Sequence, residues 1–187
     1  MTRLGELTGD YILRTDSRIG FVARHAMSTK VRGQFDEFEG VAYLDGEDPS
    51  KSSVQLIIQA KSIQTRNRQR DKQLRARFLD TTSHPTISFN STTVRQAEEN
   101  GFAVAGHLTI RGVTKPVTVN FQLISAENDR WGTFTVGFQG SITISRKDWG
   151  VNWNTATWVL ISERVRLEFD VTAIRRCGGR EPGPRLP

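Results

Sequence analysis

The sequence predicts an all-β fold, either a closed barrel or a two-sheet sandwich. Two observations carry that prediction. Apolar and polar residues alternate with a period of two over several long stretches, and turn dipeptides fall between them. Strict alternation marks strands with one buried face and one wet face, the pattern of antiparallel sheets.

The first seven or so residues read as loose chain. The first strand candidate is 18–27, where Ile19, Phe21, Ala23 and His25 share a face. Further candidates are 30–36, 39–44, 53–61 and 86–94. In "FAVAGHLTI", Phe102, Val104, Gly106, Leu108 and Ile110 line up on one side. In "VTVNFQL" the aligned set is Val117, Val119, Phe121 and Leu123. In "FTVGFQGSITI" it is Phe134, Val136, Phe138, Ile142 and Ile144, and in "RVRLEFDV" it is Val165, Leu167, Phe169 and Val171. Turn signals fall at Asp45-Gly46 with Asp48-Pro49, at Asn100-Gly101, at Gly112 and at Asn128-Asp129. About eight to ten strands result. Gly33, Gly106, Gly137 and Gly140 lie inside strand patterns, where glycine marks bulges or bends.

One stretch breaks the pattern. "TRNRQRDKQLRARFLD", residues 65–80, carries Arg66, Arg68, Arg70, Lys72, Arg75 and Arg77 against Asp71 and Asp80. From Asn67 to Leu79 it has no Gly, no Pro and no β-branched residue, so a short helix is expected there. Leu74 and Phe78 share a face and would anchor it. Asp71 is spaced to pair with Arg75 and also lies beside Arg70. Thr65 or Asn67 would cap the start. A basic face with Arg68, Lys72 and Arg75 remains.

A chain of 187 residues fits one domain, expected over 8–175. The end of the chain, "CGGREPGPRLP", is rich in Gly and Pro, so 176–187 reads as a disordered tail. The net charge of +6 permits nucleic acid, anionic lipid or a phosphorylated ligand as partner and requires none of them. The single Cys177 allows no internal disulfide and no cysteine-based metal site. The stretch "MTRLGELTGDYILR" has no apolar core of a secretory signal, and the longest apolar runs are far below membrane-spanning length. The expectation is cytoplasmic residence with no integral membrane association.

His25, His84 and His107 are scattered and do not form a metal constellation. His84 precedes a proline and reads as structural; His107 reads as exposed. No Gly-x-Ser-x-Gly elbow, phosphate loop or His-Glu-x-x-His is present, so catalytic residues are expected to be none.

The motifs resemble those of the YceI-like family. "DSRIGFVARH" matches S-x-x-x-F-x-x-x-H at Ser17, Phe21 and His25, and "VRGQFDEFEG" resembles G-x-F-x-x-F-x-G. "SIQTRNRQRDKQLRARFLD" is similar to S-I-x-T followed by R-D-x-x-L and F-L-D. "HPTISF", "GHLTIRGVTKPV" and "SRKDWGV" follow in the family order. The resemblance spans about Asp10 to Ile174. It implies a lipocalin-like, extended antiparallel β-barrel of about eight strands with one short helical segment near 67–79. It further implies an elongated apolar interior that binds a polyisoprenoid, an isoprenoid quinone or a related lipid. Some members are dimers, so a homodimer is admitted. Two positions depart from the family pattern: Asp16 and Gln73 stand where histidine is common. Any role of those histidines is absent here.

These readings give the candidate site. The cavity wall is expected to hold Phe21, Val54, Leu56, Ile58, Phe89, Leu108, Phe121, Phe138 and Phe169, with a fully packed core as the competing outcome. His25 shares the inward parity of its strand. Trp149 and Trp153 share parity near a barrel mouth, beside a turn locked by Arg146 and Asp148 with Gly150. Arg66, Arg70 and Lys72 are the candidate rim for a headgroup. No cofactor or metal is expected beyond a bound isoprenoid-type lipid. Two alternatives stand beside the carrier: a nucleic-acid-binding barrel using the basic 66–77 segment, and an enzyme acting on a small apolar substrate. The first would need aromatic residues interleaved with the basic ones, and the segment offers only Phe78.

Overall fold

A computed structural model describes residues 4–25, 29–152 and 161–177, with the side chains of His25 and Ile161 outside the described set. The strands are β1 (Gly9–Leu13), β2 (Arg18–His25), β3 (Thr29–Phe35), β4 (Phe38–Leu44), β5 (Ser53–Gln59), β6 (Ile63–Gln64), β7 (Thr86–Glu98), β8 (Gly101–Ile110), β9 (Val113–Asn128), β10 (Phe134–Ser145) and β11 (Ile161–Arg175). Every described pairing is antiparallel.

The ring β1-β4-β5-β7-β8-β9-β10-β11 closes because β1 pairs with both β4 and β11. The predicted barrel of about eight strands is therefore observed. Three of its staves are broken in two. The pairs β1–β2, β3–β4 and β5–β6 each continue along one path, with β2 on β11, β3 on β2 and β6 on β3. Ser17 bridges the first break: its hydroxyl donates to the Thr172 carbonyl at 3.1 Å and accepts from the Thr172 amide at 2.9 Å. Arg14 N–H reaches the same carbonyl at 2.8 Å. These bonds carry the contact with β11 across the gap between β1 and β2.

β1 lay outside the predicted strands, since Ile12 puts an apolar residue on the outward face and blurs the alternation. The opening residues are also more ordered than the sequence suggests. Leu4–Leu7 forms a 3₁₀ turn, and Leu7 is only 3% exposed.

Two of the strand glycines do other work than predicted. Register shifts fall between Ser91 and Thr93, Gln96 and Glu98, Gly137 and Phe138, and Ile161 and Val165. Of the four strand glycines, Gly137 adjoins one and Gly106 lies opposite another, paired with Ser91, while Gly33 and Gly140 adjoin none. The extra residue opposite Gly137–Phe138 is Ile124 of β9, which is turned outward and exposed. Past it the inward parity of β9 switches from Leu123 to Ala126.

The helical segment is present over 68–78, as expected, and changes type. α1 (Arg68–Gln73) is capped by Asn67, whose Oδ1 accepts from the Arg70 amide at 2.9 Å. It then widens into a π turn over Leu74–Phe78, closed by Leu79 N–H to the Leu74 carbonyl at 2.9 Å. Phe78 is buried and Leu74 packs against the same core, so the anchoring stripe is in place.

Hydrogen bonds link three turns at the α1 end of the barrel. Arg111, at φ +50 in the β8–β9 hairpin, aims Nη1 at the carbonyls of Arg77, Phe78 and Gly150 at 3.3–3.4 Å. Trp149 Nε1 donates to the Leu108 carbonyl at 3.0 Å. Among the described residues no helix is long and apolar enough to cross a membrane.

Candidate ligand-binding cavity

The inward strand faces do not meet at the barrel axis. They enclose a cavity of about 550 Å³, lined from Leu4, Leu7 and Val136 at one end to Leu74, Phe78 and Trp149 at the other. That volume is in the range of small-molecule sites.

Glycine explains why the interior stays open. A Cβ on Gly33 would stand 2.2 Å from Phe21 Cζ, and one on Gly106 would stand 2.6 Å from Phe89 Cζ. Each ring therefore fills the space of a missing side chain on the adjacent strand. It leans along the wall and leaves the lumen clear. Phe121 and Phe169 meet at 5.7 Å between ring centroids, and Phe21 and Phe35 at 5.9 Å. Both pairs lie within the range of favourable aromatic contacts.

The structure places Phe21, Val54, Leu56, Ile58, Phe89, Leu108, Phe121, Phe138 and Phe169 on the cavity wall, together with Trp149. Trp149 sits in a 3₁₀ turn, Arg146–Trp149, so the extended-strand parity argument does not apply to it. Trp153 lies outside the described residues, as does the His25 side chain. The turn itself ends on Gly150 at φ +67, as the sequence suggests. Arg146 serves the backbone here: Nε donates to Ser162 O at 3.1 Å and Nη1 to Val151 O at 2.6 Å. Burial pulls its guanidinium below the ordinary value, opposed by the Glu163 carboxylate.

Of the three rim candidates, only Arg70 reaches the cavity. Arg66 and Lys72 are exposed and do not line it. Arg70 Nε donates to Thr65 Oγ1 at 2.7 Å, and Nη2 donates to the Thr65 carbonyl at 2.9 Å. Asn67 and Thr29 line the cavity at the same end. Beneath them Asp71 is only 7% exposed. Its Oδ1 accepts from Thr65 N–H at 2.8 Å and from Thr65 Oγ1 at 2.5 Å. The expected pairing of Asp71 with Arg75 is replaced: Arg75 Nη2 donates to the Ile63 carbonyl at 3.0 Å. Two short local donors satisfy a buried carboxylate without ordering a long side chain.

The far end contains the residues that sequence reasoning missed. Tyr11 is almost fully buried, and its hydroxyl donates to the Leu7 carbonyl at 2.8 Å. Arg175 donates to the same hydroxyl from Nε at 3.2 Å and Nη2 at 3.1 Å. It also donates to the Glu6 carbonyl and stacks over Phe134 at 4.2 Å. Burial pushes the Tyr11 phenol above its ordinary value, and the Arg175 hydrogen bond works against that. Asp45 lines the cavity here, with Oδ1 accepting from the amides of Glu47 at 3.0 Å and Asp48 at 2.8 Å. Of Tyr11, Arg175 and Asp45, the turn signals touched only Asp45, through Asp45-Gly46.

His107 is exposed, and His84 packs against the Gly112 turn. Among the described residues no cluster of three or more His, Cys, Asp and Glu is arranged to hold a metal.

The chain matches the profile of the YceI-like domain over residues 11–173. It is 33% identical to a UPF0312 protein of Pseudomonas aeruginosa over 174 residues, covering 91% of this chain and 89% of the relative. A UPF0312 protein of Serratia proteamaculans is 35% identical over 173 residues, covering 90% and 88%. Among solved structures, BcnA of Burkholderia cenocepacia superposes with a TM-score of 0.77 at 22% identity, covering 86% of this chain and 98% of that one. A polyisoprenoid binding domain from Saccharophagus degradans superposes with a TM-score of 0.69 at 19% identity, covering 89% and 98%.

Proposed function

Given that the chain belongs to the YceI-like domain family, we propose that it binds and carries a long apolar amphiphile, a polyisoprenoid or isoprenoid quinone, inside the barrel. The observation that carries this reading is the apolar cavity of about 550 Å³ running between the barrel ends. The solved neighbour described as a polyisoprenoid binding domain supports it. Removing apolar surface from water supplies the affinity, at about 25 cal/mol per Å² before ordering costs. The wall would grip the chain through Phe21, Leu56, Phe89, Phe121 and Phe169. Arg70 would meet the headgroup.

The proposal contains no catalytic step. Titratable groups on the wall serve the fold: Tyr11 on Leu7, Asp45 on its own turn, Arg70 on Thr65 and Arg146 on Val151. Burial of Phe78, the sole aromatic of the basic segment, argues for the cavity over base stacking on nucleic acid. Cytoplasmic residence is retained as part of the proposal, and cell fractionation tests it.

Native mass spectrometry of protein purified without added ligand tests the binding reading. A co-purified apolar molecule released by organic solvent is the expected result. Protein that emerges ligand-free and takes up no isoprenoid from dilute detergent would overturn it.

A further inference from the structure

The described ion pairs all lie off α1. Arg14 pairs with Asp16, Lys51 with Asp48 and Lys147 with Glu163, while Arg18, Arg32 and Arg166 converge on Glu168. No described ion pair reaches Arg66, Arg68 or Lys72, all of them exposed. Like charges are also set against each other at this end. Arg68 and Lys72 stand four residues apart on α1, a spacing at which like charges repel. Arg24 and Lys30 are direct partners across β2 and β3, where like charges destabilise a sheet.

Both pairs belong to one end of the barrel. Arg24 N–H donates to Ser162 Oγ, whose carbonyl receives Arg146 from the turn that Arg111 ties to Phe78. The opposite end is acidic, with Asp45, Glu47 and Asp48 in one turn and Glu98 and Glu99 in another. Thr29 and Asn67 are exposed and also line the cavity, so the cavity reaches the surface inside the basic patch.

From this we propose that the α1 end docks on an anionic lipid bilayer, with the cavity mouth turned toward the headgroups. The proposal rests on the carrier reading above. Phosphate headgroups relieve the repulsion within the Arg24–Lys30 and Arg68–Lys72 pairs. Docking mouth-first lets a long apolar chain pass between bilayer and barrel without crossing water, which would expose its whole apolar surface.

Vesicle co-sedimentation of the full chain tests the docking. Vesicles of phosphatidylcholine with about 30 mol% phosphatidylglycerol are compared with phosphatidylcholine alone. The expected result is binding to the anionic vesicles only, lost as salt rises from about 0.05 to about 0.5 M. Combined Arg66→Gln, Arg68→Gln and Lys72→Gln should weaken it about a hundredfold, and Lys51→Gln at the acidic end should leave it unchanged. Far-UV circular dichroism of the variants confirms that each is folded. Equal binding to neutral vesicles, or no effect of the triple variant, overturns the proposal. Retention of DNA as tight as the vesicle binding, lost in the same variant, also overturns it and assigns the patch to nucleic acid. Uptake of an isoprenoid from detergent is measured in parallel. Uptake without vesicle binding defeats the docking alone, whereas vesicle binding without uptake defeats the carrier reading.

Discussion

Phe121 and Gly140 face each other across β9 and β10, and the Phe121 ring occupies the place a Gly140 side chain would take. A Cβ on Gly140 would stand 2.6 Å from Phe121 Cδ1 and 2.7 Å from the Asn120 carbonyl. Gly140→Ala therefore forces the ring into the lumen or the strands apart. Overpacking of this kind costs about 1–3 kcal/mol. The expected outcome is a lower urea midpoint with an unchanged slope, and a smaller capacity for apolar probes. Phe121→Ala removes the obstructing ring. The double variant should then lose less than the two single losses added together, which a double-mutant cycle reads directly. Full additivity would show that the ring and the glycine are not coupled.

Asp71 holds the start of the helical segment to the barrel. Its carboxylate takes both donors of Thr65 in a buried setting, and Thr65 in turn positions Arg70. Asp71→Ala strands the Thr65 amide and hydroxyl, each a buried donor worth about 1–3 kcal/mol when unmet. A loss of roughly 2–4 kcal/mol in chemical denaturation is expected. Lys72→Ala, one residue on and exposed, should change stability by less than about 0.5 kcal/mol. Equal effects at the two positions would refute the role of Asp71 in holding Thr65.

How much of this was legible in the sequence follows from what alternation encodes. A period of two states which face is buried, and β8 to β11 were readable because each holds one inward parity over at least four positions. It does not state how far a ring leans, so Gly33 and Gly140 looked like bulges when they are seats for phenylalanine, and Gly106 is both a seat for Phe89 and the partner of Ser91 at a bulge. The true bulge residue in β9, Ile124, carries no glycine and left no mark. β1 was missed because Ile12 faces outward. The Tyr11–Leu7 contact joins a turn to a strand through a carbonyl, and a backbone acceptor has no residue type to recognise. The helical segment was legible from propensity, yet its widening at Leu74 was not. The Asp71 partner was misjudged for a related reason: helix spacing favoured Arg75, while the chain before the helix supplied Thr65 at shorter range.

Arg70 should set preference among ligand headgroups, because it alone of the three basic rim candidates lines the cavity. Arg70→Met is expected to weaken a phosphorylated isoprenoid by about tenfold to a hundredfold, the worth of a charge-assisted hydrogen bond. A neutral quinone of equal length should change little. Arg66→Gln and Lys72→Gln should spare both ligands when uptake is measured from detergent. The ratio of the two affinities is the readout, since general loosening through Thr65 would lower both together. A parallel fall for both ligands would remove Arg70 from headgroup recognition.

The Tyr11 phenol gives the acidic end a signature at high pH. Burial holds its folded pKa above the ordinary value of 10.0, against the opposing hydrogen bond from Arg175. Below that ordinary value the phenol is neutral in both folded and unfolded chains, and its contribution to stability is fully present. As pH rises past about 10 the unfolded phenol ionises first, so the unfolded state is favoured and stability falls until the folded phenol also titrates. Thermal unfolding followed from pH 9 to pH 11 should show this decline. Tyr11→Phe keeps the ring among Leu7 and Val136 but loses the bond to the Leu7 carbonyl. It should cost about 1 kcal/mol at neutral pH and flatten the alkaline decline. A decline of the same steepness in Tyr11→Phe would place its origin elsewhere in the chain.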